Sequence, residues 1–226
     1  MVNTHFKDDT HSRLGFIRKV YGILCAQFVF TSIYCGLTMT LSVDTIVSLY
    51  QPAIMYTVIG VYFASFCAIM CCFGRVVPTN YILLGVFTLC VSYIVGIGVW
   101  AVGQDNAFIV LEAALMTAAM TLGLTIYAMT TKTDFTLCAP FLMVIALTSM
   151  MFFILSLIFG WYMNTLYCYF GIILMSFYIV IDTQMIIGGN NRKYQISEDD
   201  YIMASVILYL DIINLFLYIL QILSKK

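Results

Sequence analysis

From about residue 20 to its end, the chain alternates long, almost uninterrupted apolar runs with short polar breaks. About twenty apolar residues in a helix cross the ~30 Å hydrocarbon core of a bilayer. On that ruler the pattern predicts seven spans, over residues 20–41, 53–73, 81–102, 107–129, 135–158, 165–187 and 201–223. The breaks are short, so consecutive helices are expected to be antiparallel neighbours. The expected fold class is an all-α membrane protein: one seven-helix transmembrane domain over residues 20–226, preceded by a short polar tail, residues 1–19. The tail lacks the apolar core of a cleavable signal, so the first span is expected to act as the insertion signal. Residue 2 is Val and no C-terminal Cys box is present, so neither terminal lipid motif occurs.

The fourth run, AFIVLEAALMTAAMTLGLTIYAM, is rich in small residues: Ala113, Ala114, Ala118, Ala119 and Gly123. Small residues let helix backbones approach closely, which predicts this span as the central helix of the bundle. It also carries Glu112, either an intramembrane acid or, if the helix starts late, a solvated interfacial one.

The last two runs stand out, because each apolar stretch holds one aspartate, Asp182 in the first and Asp211 in the second. The polar hairpin GGNNRKYQISEDD joins them, and Ser197 followed by three acids reads as a helix N-cap. Folding back there sets the two acids at similar depth, provided the first helix continues beyond Gly188-Gly189. Tyr178, four residues before Asp182, and Asn214, three after Asp211, lie on the matching helix faces as supporting hydrogen-bond partners. As structural glue the acids would be a poor arrangement. An interhelical polar contact contributes ~0.6 kcal/mol on average, against ~3 kcal/mol to insert an aspartate. The comparison favours an ion path and pH-sensing pair that switches between singly and doubly ionised forms near neutral pH. Hard carboxylate oxygens also suit transient Ca²⁺ rather than a soft metal.

Composition narrows the alternatives. Of 226 residues, 63% are hydrophobic and 9% charged, far from the balance of a soluble domain. A net charge of −1 with no basic cluster argues against a nucleic-acid partner. The eight cysteines contain no CxxC and lie in or at the ends of apolar runs, which predicts free, buried thiols. His5 and His11 are confined to the tail, so neither a structural metal nor a resident cofactor is expected. With the N-terminus cytosolic, Lys7, Arg13, Arg18, Lys19, Arg75, Lys132, Arg192 and Lys193 gather on one side. The opposite loops, near Asp44, Asp105 and Trp161, have no Lys or Arg, which is the positive-inside pattern. Lys225 and Lys226 break it, unless the last segment is re-entrant and returns them to the cytosol.

At these residues the chain resembles a known family. Asp182-Thr183-Gln184, Ile196-Ser197 with Asp200-Tyr201, and Tyr209-Leu210-Asp211-Ile212-Ile213-Asn214-Leu215-Phe216 are similar to the transmembrane Bax inhibitor motif family, Lifeguard branch. Phe16-Ile17-Arg18-Lys19-Val20-Tyr21, Pro78-Thr79-Asn80 and Lys132-Thr133-Asp134-Phe135-Thr136 extend the resemblance over nearly the whole chain. It implies a seven-helix bundle in the endoplasmic reticulum, the Golgi or another cell membrane such as the plasma membrane. It further implies a pH-dependent Ca²⁺ leak, suppression of apoptosis, the acid pair at Asp182 and Asp211, and a basic latch for which Arg75 is the candidate. Two other readings stand beside it. One is a non-conducting scaffold that binds apoptosis-regulating membrane proteins. The other, an intramembrane aspartyl protease, lacks the GxGD context at Asp211 and any supporting nucleophile set, so no enzyme is expected.

Overall fold

The computed structural model describes residues 2–104, 106–142, 144, 145, 148, 165–189 and 191–225, with side chains from residue 12 onward. Among the described residues there are helices and turns and no strand. The helices are α1 (Val2–Met39), α2 (Val43–Leu49), α3 (Pro52–Ala68), α4 (Thr79–Gly103), α5 (Ala107–Thr130), α6 (Thr165–Ile187) and α7 (Tyr201–Leu223). A π turn, Ile69–Phe73, prolongs α3, and a 3-10 turn, Phe135–Cys138, follows α5. Six helices are long and apolar enough to cross a membrane: Ser12–Met39, Pro52–Phe73, Thr79–Gly103, Ala107–Thr130, Thr165–Ile187 and Tyr201–Leu223. The chain is a multi-pass membrane protein. These six match six of the seven expected spans. Most of the fifth, 135–158, lies outside the described residues, as do Asp105 and Trp161.

The chain divides into two compact units, Met1–Val110 with Ser197–Tyr209, and Leu111–Ile196 with Leu210–Lys226. In the first, α4 packs against α1 and α3. The buried residues of α4 include Leu84, Phe87, Thr88, Val91, Ser92, Val95 and Val99, a stripe at three- and four-residue spacing. Along it run neutral hydrogen bonds. Gln27 Nε2 donates to Thr88 Oγ1 at 3.0 Å, and Thr31 Oγ1 lies 2.9 Å from Ser92 Oγ and 2.7 Å from Tyr209 Oη. The rings of Tyr62, Phe87 and Tyr209 stack beside this seam, with centroids 5.4 and 6.4 Å apart along the series.

At one end of the same unit, Arg75 grips Asp200 with Nε and Nη2 at 2.6 and 2.7 Å. Ser12 hydrogen-bonds Glu198, and Lys19 lies over the Tyr201 ring. The helix α7 begins after Asp200, whose carbonyl accepts the first helical bond from Ala204 at 2.9 Å. The cap expected at Ser197 therefore sits one turn later. Ser197 is used instead in the preceding turn, its carbonyl accepting from the Asp200 amide at 3.0 Å.

In the second unit, α6 and α7 run antiparallel. Early residues of α6 meet late residues of α7: Cys168 Sγ reaches Gln221 Oε1 at 3.3 Å, and Gly171 lies against the Tyr218 ring. The helix α6 stops at Ile187 because Gly188 and Gly189 adopt φ of 65° and 112°, open to glycine and strained for other residues. The chain then folds back, and the Ile196 amide donates to the Met185 carbonyl at 3.1 Å.

The burial of α5 among the described residues does not establish the central position expected for the small-residue helix. On α5 only Ala113, Thr117 and Ala128 are buried, while Ala114, Ala118, Ala119 and Gly123 are exposed. Just 11% of its span is enclosed, against 56% for α4 and α7. Small side chains permit close packing without requiring it. Accordingly, Gly123→Leu, with open space around the site, is expected to leave the thermal midpoint in detergent unchanged. Gly171→Leu drives a side chain into Tyr218 atoms only 2.6 to 2.8 Å from its Cβ position and is expected to cost about 1–3 kcal/mol.

Candidate functional site

Asp182 lies toward the end of α6 and Asp211 near the middle of α7, and the two carboxyl groups are hydrogen-bonded to each other. They are 4% and 8% exposed. Buried Ile179, Val180, Ile181, Ile212, Ile213 and Leu215 flank them along the two helices. A carboxylate can only accept, so this bond requires a proton on one of the pair. The expectation that the hairpin brings the acids together holds, but by another route. The helix does not continue past the glycines; the turned-back loop sets the register instead. Two oxygens here have no hydrogen-bond partner among the described residues, Asp211 Oδ2 and Thr183 Oγ1. Burial without a partner is costly in a membrane interior, so the bond between the two carboxyl groups matters to both.

The residues expected to support the pair have other partners. Asn214 Nδ2 donates to the Leu210 carbonyl at 2.8 Å, one turn back on its own helix. The Tyr178 hydroxyl donates to the Leu142 carbonyl. Arg75, the candidate latch, is bound by Asp200 instead. Its guanidinium fork matches the half-buried Asp200 carboxylate at the head of α7 while Arg75 itself stays exposed. Glu112 is exposed on α5. Among the described residues no group of three or more His, Cys, Asp and Glu side chains is placed to hold a metal ion.

Sequence reasoning missed the clasp below Asp182. Gln184, 1% exposed, accepts from the Phe135 amide at 2.9 Å and donates to the Thr133 carbonyl at 3.1 Å. Arg192 donates to the Thr133 and Thr131 carbonyls, the latter at 2.8 Å, placing a cation at the C-terminal end of α5 where the helix dipole favours one. Asp134 caps the 3-10 turn through the Thr136 amide at 3.0 Å and hydroxyl at 2.6 Å, and accepts from the Lys193 amide at 3.0 Å. The Thr136 hydrogen bond in particular holds the Asp134 carboxyl below the ordinary carboxylate range. Its contribution is full above that range and is lost only as pH falls through the lowered value. Asp134 therefore stays ionised through the near-neutral window and is no pH sensor there. The signal for the clasp was present in the motifs: Asp182-Thr183-Gln184 and Lys132-Thr133-Asp134-Phe135-Thr136 are the segments it joins.

The sequence is similar to known proteins over nearly its whole length. A family model described as inhibitor of apoptosis-promoting Bax1 matches residues 13–226. Human protein lifeguard 3 is 31% identical over 97% of this chain and 71% of its own length. The mouse protein of that name is 29% identical over 97% of this chain and 72% of its own length. Protein LIFEGUARD 3 of Arabidopsis thaliana is 33% identical over 93% of this chain and 84% of its own length.

The clasp makes a direct prediction. Gln184→Leu leaves the Phe135 amide unpaired and is expected to cost about 1–3 kcal/mol. Limited trypsin digestion should then cut faster at Lys132, Arg192 and Lys193, while cleavage elsewhere is unchanged.

Proposed function

Because the chain belongs to the family of inhibitors of apoptosis-promoting Bax1, with relatives named lifeguard, we propose that it suppresses cell death as a pH-sensitive Ca²⁺ leak of an intracellular membrane. The membrane is the endoplasmic reticulum or Golgi, with the N-terminus cytosolic, and the reading includes no catalytic step. The observation that carries it is the hydrogen bond between two buried carboxyls, Asp182 and Asp211, in adjacent helices. With one proton held between them the acids tie α6 to α7. Once that proton leaves, the bond is gone and two like charges face each other in a low dielectric, where repulsion is strong. The tie is thus present below the pH at which the pair gives up its proton and lost above it. That is a two-state element biased by proton concentration. The two buried carboxyls supply hard oxygens for a passing Ca²⁺.

A second reading is supported by α5, whose exposed small residues, Ala114 with Ala118 and, further round the helix, Ala119 with Gly123, let a partner membrane helix pack closely. On this reading the protein is a non-conducting scaffold. Purified protein in Ca²⁺-loaded liposomes separates the two. The channel reading expects Ca²⁺ efflux that changes several-fold between pH 6 and pH 8, and Asp211→Asn to flatten that profile. Flux from Asp211→Asn that still follows pH as in the parent protein sinks the gating role. No flux from either protein leaves the scaffold.

A further inference from the structure

Three of the eight cysteines fall on the last turns of one span, Pro52–Phe73: Cys67, Cys71 and Cys72. The expectation of buried thiols fails here. All three are free and exposed, as are Cys25 and Cys138, while only Cys90 and Cys168 are buried. The helix opens into the π turn Ile69–Phe73 at this point, and its backbone closes on Gly74, where any Cβ would lie 2.6 Å from the Ile69 carbonyl oxygen. Ile69, 2% exposed, faces inward, and Cys71 and Cys72 both face out.

The surrounding residues fix where these thiols sit. Immediately beyond them are Gly74 and Arg75, the latter 62% exposed and paired with Asp200. Lys19 and Tyr81 both lie against the Tyr201 ring beside it. Basic side chains and tyrosines at this level mark a membrane–water interface, on the side to which the positive residues assign the cytosol. Cytosolic thiols remain reduced. Cys71 and Cys72 do not suit a mutual disulfide either, since consecutive Cα atoms are about 3.8 Å apart, shorter than the ~4.4–6.8 Å a disulfide usually spans. What remains is a pair of accessible thiols at the cytosolic end of an outward-facing helix, the setting of reversible S-acylation.

We propose that Cys71 and Cys72 are an S-acylation site, taking long-chain fatty acyl groups from the acyl thioester of coenzyme A through a membrane acyltransferase. The cysteine sulfur attacks the thioester carbonyl, a new carbon–sulfur bond forms, and the bond to coenzyme A breaks. The cysteine proton ends on the released coenzyme A thiol, so one thioester replaces another without oxidation or reduction. The attached chains enter the bilayer along the exposed side of α3.

The test is acyl exchange on the full chain expressed in cultured eukaryotic cells: free thiols are blocked, thioesters are cleaved with hydroxylamine, and the released thiols are tagged with a maleimide polymer. One or two hydroxylamine-dependent mass steps are expected. They should vanish in Cys71→Ser/Cys72→Ser and persist in Cys25→Ser and Cys138→Ser, with the double variant eluting as the parent does in size exclusion. Should the double variant aggregate, Cys71→Ala and Cys72→Ala are read singly, and at least one must lose a step. Absence of any step on the parent chain, in a lysate where endogenous S-acylated proteins are tagged, overturns the assignment. So do steps that survive loss of both cysteines or map to Cys138.

Discussion

Inside hydrocarbon there is no water to complete a hydrogen bond, so every buried polar group must be matched by the protein itself. The two units meet that demand in different ways. The first uses neutral groups: the Gln27 amide on Thr88, and the Thr31, Ser92 and Tyr209 hydroxyls in contact. The second uses ionisable ones, with two carboxyls sharing a bond and Gln184 and Arg192 closing the loop beneath them. Hydrogen bonds between neutral groups such as these do not change with proton concentration near neutrality. The bond between two carboxyls exists only while one of them holds a proton, which is why the proposed function rests on Asp182 and Asp211.

The clasp gives this sensitivity a fixed frame. Asp182 and Gln184 are two residues apart on α6, and the buried Gln184 amide is pinned from both sides, accepting from Phe135 and donating to Thr133. The turn of α6 that carries Asp182 is therefore held by bonds that do not titrate near neutrality.

Most of the helical framework was legible because twenty-residue apolar runs have a single structural solution in a bilayer. Asp182 and Asp211 were legible for the same reason, as rare acids in such runs. The partners of side chains were not. Asn214 faces as the helical spacing implies, yet its amide turns back to Leu210, because an open carbonyl on its own helix competes with any partner across the interface. Arg75 resembles a latch by position along the chain, but its long side chain finds Asp200, whose place at the head of α7 depended on where the helix starts. The α5 helix shows another limit, since composition reports what can pack closely and says nothing of which face has a neighbour. Gln184 was hidden inside a matched motif, with nothing in its own identity to mark it.

The division of labour along α7 has an electrical consequence. Its first half contributes the neutral Tyr209 hydroxyl to one unit, and its second half contributes Asp211 to the other. Two acids sharing one proton carry one negative charge within the span, and a charge moved across a membrane potential does work of about 2.3 kcal/mol per 100 mV. The hydroxyl seam feels no such force. On the proposed reading, voltage acts on this helix at Asp211 and not at Tyr209, and joins proton concentration as a second influence on the same two carboxyl groups.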